Sequence, residues 1–75
     1  MLTFKLIGIE DGFYHYEIYP EGKVEDKGWI IFNPETGETK ETVKPKSSFN
    51  CIAHFFQGVK DKYGNYKESG MVAWY

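Results

Sequence analysis

Apolar and polar residues alternate from Leu2 to Ile9, with Leu2, Phe4 and Leu6 on one parity and Thr3, Lys5 and Ile7 on the other. A period of two predicts a half-buried strand. Gly8 marks either a bulge in it or its end. Asp11-Gly12 follows, a pair suited to a two-residue hairpin turn in which both central residues need positive φ. Phe13 to Tyr19 then reads as a second strand. Tyr14, Tyr16 and Ile18 form its uniformly apolar face and are assigned to the core; Phe13, His15, Glu17 and Tyr19 form the other. Pro20-Glu21-Gly22-Lys23 is a turn.

A third strand is predicted over about Val24 to Phe32. Its heart, Gly28-Trp29-Ile30-Ile31-Phe32, is an unbroken apolar run without alternation, which suits a strand covered on both faces and central in the sheet. Asn33-Pro34-Glu35-Thr36-Gly37 is a dense turn signal, met by a type I turn with a left-handed Gly. Glu38 to Lys44 carries β-branched and charged residues but little apolar bulk, and is followed by Pro45. It fits a protected edge strand, the alternative being a polar loop.

From Ser47 to Gly64 the period changes. Phe49, Ile52, Ala53, Phe56, Val59 and Tyr63 fall at the i, i+3, i+4, i+7 spacing of a one-sided helix, predicted over about 48–63. Ser47 or Ser48 supplies the N-cap and Gly64 the stop. A second stripe, Cys51, Phe55, Gly58 and Lys62, falls on its outer or edge side, with Gly58 reading as a tolerated surface glycine or a point of close approach by another chain. Gly70 to Tyr75 is apolar enough to be docked as a last strand. The expected fold is a single α+β domain spanning 1–75, of order β-β-β-β-α-β: a mostly antiparallel sheet of four to five strands with one helix packed on one face.

Composition sharpens this picture. A chain of 75 residues has one core, and its six Phe, six Tyr and two Trp supply unusually large buried areas. The formal charge is −2, with signs interleaved, which argues against a nucleic-acid footprint and a polybasic membrane patch. A lone cysteine precludes an internal disulfide and suits a reducing compartment. No signal-peptide pattern opens the chain, so a cytoplasmic location is expected.

Candidate chemistry is sparse. Cys51 and His54 lie three apart on the predicted helix, the spacing of neighbours that forms a thiolate–imidazolium pair in some enzymes. On the helical wheel both fall on the solvent side, away from any pocket. Ligand spacings for a metal are absent, as are phosphate loops and paired buried carboxylates, so neither catalytic residues, metal nor cofactor is expected. The informative feature is the sheet's far side. Ile7, Phe13, His15 and Tyr19, together with one of the pairs Trp29/Ile31 and Ile30/Phe32, exceed what one helix can cover. Large apolar patches of this kind mark interaction surfaces, so these four are the candidate partner-binding residues, for a protein partner or a second copy. The alternatives are a small-molecule or enzymatic site at Cys51/His54, and single-stranded nucleic acid stacked on the aromatic face.

Overall fold

The structure, a computed structural model, describes residues 1–45 and 51–72. Five strands, β1 (Leu2–Glu10), β2 (Phe13–Pro20), β3 (Gly28–Phe32), β4 (Thr39–Val43) and β5 (Ser69–Val72), and one helix, α1 (Cys51–Gly58), follow the expected order. All pairings are antiparallel and the sheet order is β4-β3-β2-β1-β5. The central strand is therefore β2, with β3 one place off centre. The segment expected at 38–44 is an edge strand, β4, over Thr39–Val43. Asp11 and Gly12 both adopt positive φ, 54° and 81°, as the hairpin turn between β1 and β2 requires.

The core face carries Leu2, Phe4, Tyr16, Ile18, Ile30 and Phe32, closed by Phe55 and Val59 from the helical side and Val72 from β5. Tyr16 sits at its centre. Its ring meets Phe55 at 5.0 Å, Phe4 at 5.9 Å and Phe32 at 6.1 Å between centroids. Its hydroxyl donates to the Lys67 carbonyl at 2.7 Å.

Three expected boundaries shift. The third strand starts at Gly28, because Val24–Asp26 coils into a short 3₁₀ turn. Ser69–Val72 forms the last strand, while residues 73–75 of the predicted strand lie outside the described residues, as do Phe49 and the capping serines. The helix ends at Gly58 rather than near 63, so the left-handed Gly64 belongs to a loop.

That loop replaces the missing helical turns. Lys67 N–H donates to the Val59 carbonyl, Lys60 bridges to Tyr66, and the Asp61 carboxylate accepts from the backbone of Tyr63 and Asn65. Tyr66 thereby reaches Tyr14 and Phe32 at 5.7 and 5.8 Å. The helix is also rotated from its expected setting. Phe55 is buried while Ala53 and Phe56 are exposed, because the predicted stripe drew on Tyr63, which is not helical. Phe56 keeps an edge contact with Phe32 at 5.2 Å.

Three glycines mark close approaches: Gly28, Gly58 and Gly70, the last against the Phe4 ring. A Cβ on Gly58 would run into the Val72 side chain, so the close approach here is to the chain's own β5. A Cβ on Gly28 would meet the Val43 carbonyl and lie 2.6 and 2.8 Å from Cδ and N of Pro45. Backbone cannot swing aside as a valine can. Gly28→Ala is therefore expected to lower stability by about 2–3 kcal/mol. Gly58→Ala recovers roughly 1 kcal/mol of helix propensity and loses about 1 kcal/mol or less overall. Urea unfolding midpoints of the two variants check the order.

Burial, with Tyr14, Tyr66 and Glu68 nearby, pushes the Tyr16 hydroxyl up to about 12, against about 10 in the unfolded chain. A raised value means stability that is full below about pH 10 and is lost as pH climbs toward 12. Tyr16→Phe is expected to cost about 1 kcal/mol at neutral pH and to flatten that alkaline decline. Thermal melts between pH 8 and 12 are the measurement.

Candidate functional site

Strand register fixes what the far side of the sheet presents. Ile30 and Phe32 face the core, so Trp29 and Ile31 are the outward pair. Across the sheet, Trp29 opposes Glu17 and Val43, Ile31 opposes His15 and Glu41, and Thr3 opposes Tyr19 and Met71. No described element lies over this face. Phe13, His15, Tyr19, Trp29 and Ile31 are half-buried by their neighbours, and Ile7 is 47% exposed.

The convergence of elements here is set by one irregularity in β1. Pairing steps from Leu6–Tyr16 to Gly8–His15, leaving Ile7 as the extra residue of a bulge. Gly8, opposite His15, has open space where a side chain would stand. The result is a shallow cleft of about 320 Å³ bounded by Ile7, Gly8, Ile9, Phe13, His15 and Ile31, with the charged Glu10 and Lys40 at its margin. Lys40 is brought in by a second bulge, between β3 and β4, and its ammonium stands 5.6 Å from the centre of the Phe13 ring.

Tyr19 is not part of that cleft. It lies at the other end of β2 in a more open groove with Thr3, Lys5, Ser69 and Met71. Between the two runs a polar belt. The Tyr19 hydroxyl donates to Glu17 Oε1 at 2.6 Å and Lys27 Nζ donates to Oε2 at 2.9 Å. These two hydrogen bonds, Tyr19 first, hold the Glu17 carboxyl below its ordinary range, and the same contact raises the Tyr19 hydroxyl to about 12. Trp29 Nε1–H is likewise engaged by Glu41 at 2.5 Å.

Of the four sequence-predicted residues, the structure thus gathers Ile7, Phe13 and His15 and sets Tyr19 apart. Sequence reasoning missed Lys40 and Lys27, whose positions depend on a bulge and on a 3₁₀ turn. Ile31 was legible as one of two options by strand parity. The Cys51/His54 pair is placed differently from the wheel: His54 is half-buried rather than solvent-facing, and the Cys51 side chain lies outside the described residues. Among the described residues no group of three or more His, Cys, Asp or Glu is placed to hold a metal, and no helix is long and apolar enough to cross a membrane.

Comparison with protein-family models, characterised proteins and solved structures finds no match.

Removing the Tyr19 hydroxyl tests the belt. Tyr19→Phe is expected to move the Glu17 carboxyl up toward its ordinary value. A depressed carboxyl adds stability above its unfolded value that is lost as pH falls, so the variant's acid decline becomes shallower. NMR titration of the Glu17 side chain reads the shift directly; an unmoved midpoint contradicts the assignment.

Proposed function

We propose that this chain is a small non-catalytic protein-interaction module that binds through the outer face of its sheet. The supporting observation is the set Ile7, Phe13, Tyr19, Trp29 and Ile31 on a face over which no described element lies, while the opposite face is closed by α1 and the 59–68 loop. Aromatic and aliphatic groups at a half-wet surface are what protein interfaces favour.

The charges on this face support a protein rather than a nucleic-acid partner. Lys5, Lys27 and Lys40 are matched by Glu10, Glu17 and Glu41, whereas phosphate backbones select a positive surround. The lone Cys51 fits a cytoplasmic setting for the module.

A photoreactive benzophenone side chain at position 13 is expected to form protein adducts that the same group at the exposed Gln57 on α1 does not form. Absence of any adduct from position 13, with a second copy of the chain counted among the possible products, contradicts the module reading.

A further inference from the structure

The outer face also carries information about its occupant. Ile7 projects from the bulge, and beside it Gly8 leaves the cleft floored by His15, Phe13 and Ile31. A knob and a hole thus lie next to each other on one surface. A two-fold axis close to them sends each Ile7 into the other molecule's cleft, the reciprocal contact of an isologous interface. A volume of about 320 Å³ is ample for an isoleucine side chain.

Charge points the same way. The three lysines and three glutamates on this face cancel, and Glu17 is already held by Lys27 and Tyr19, Glu41 by Trp29. A neutral face with two of its three acids internally bonded does not select a partner of either sign, and it does not repel its own copy.

The area suffices. The molecule is a slab of 30 × 26 × 17 Å with 5111 Å² of accessible surface. One broad face of such a slab takes roughly a fifth of that, on the order of 1,000 Å², against about 800 Å² per partner in a standard interface.

We infer that the occupant is a second copy of this chain, docked sheet to sheet across a two-fold axis near Ile7 and Gly8. The inference rests on the outer face being the contact surface proposed above. Sheets stacked in this way lie about 10 Å apart with side chains interleaved.

Sedimentation equilibrium of the purified chain tests it. The expected mass is twice 8.8 kDa, falling to the single-chain value in Ile7→Lys, with the dissociation constant raised at least about 30-fold. Gln57→Lys, on the helical side, is expected to stay dimeric. Circular dichroism verifies that each variant is folded. Should Ile7→Lys fail to fold, dilution of the native chain decides: the NMR signals of Phe13, His15 and Trp29 are expected to move with concentration, and unmoved signals overturn the inference. A monomer at up to roughly 1 mM, the weakest useful association, also overturns it, as does a dimer that survives both Ile7→Lys and Ile31→Lys in folded protein. In the monomer case the photoreactive probe separates the two claims, since capture of a different protein from position 13 leaves the module reading standing while the self-association fails.

Discussion

The fold depends on a single side chain being satisfied at both ends of its chemistry. Tyr16 is fully buried in the middle of the central strand, its ring ringed by Phe4, Phe32 and Phe55 and flanked by Tyr14. A buried hydroxyl without a partner is costly, and the Lys67 carbonyl removes that cost. The contact joins residues 51 apart in sequence. It ties the loop after the helix to the sheet, and so holds Tyr66 over Tyr14 and Phe32.

This explains how a helix of only eight described residues can close a five-stranded sheet. At about 1.5 Å per residue the described part of the helix spans roughly 12 Å, and Tyr66 from the loop after it extends the cover over Tyr14 and Phe32. The loop is held by backbone hydrogen bonds and the Asp61 carboxylate rather than by helical turns. Two of the tight glycines serve the same economy of space: Gly58 lets the helix end against Val72, and Gly28 lets the start of β3 pass close to Val43 and Pro45. With the inner face closed in this way, the large side chains of opposite parity stay outside.

The outer face is shaped by irregularity rather than by pattern. The β1 bulge puts Ile7 forward and leaves Gly8 opposite His15; the β4 bulge brings Lys40 to the Phe13 ring. Without the first, the cleft has no knob beside its hole. Between cleft and groove, the Glu17 carboxylate gathers Tyr19 and Lys27, so an internally neutralised belt separates the two.

Alternation determined the first two strands, the antiparallel hairpin between them and the inward face of β2, because a period of two fixes parity locally and Asp11-Gly12 fixes the first turn. It also determined that apolar bulk would exceed what one helix covers. It did not determine where the helix stops or which way it turns. A 3.6-residue period over 49–63 looks continuous in sequence, yet Phe55 is inward because the ring cluster around Tyr16 has room for it, and the chain leaves the helix at Gly58 because β5 stands there. Likewise the bulges, Lys40 at Phe13 and Lys27 at Glu17 arise from register and long-range contact, which no local pattern records. Tertiary packing decided these because each requires a partner distant along the chain.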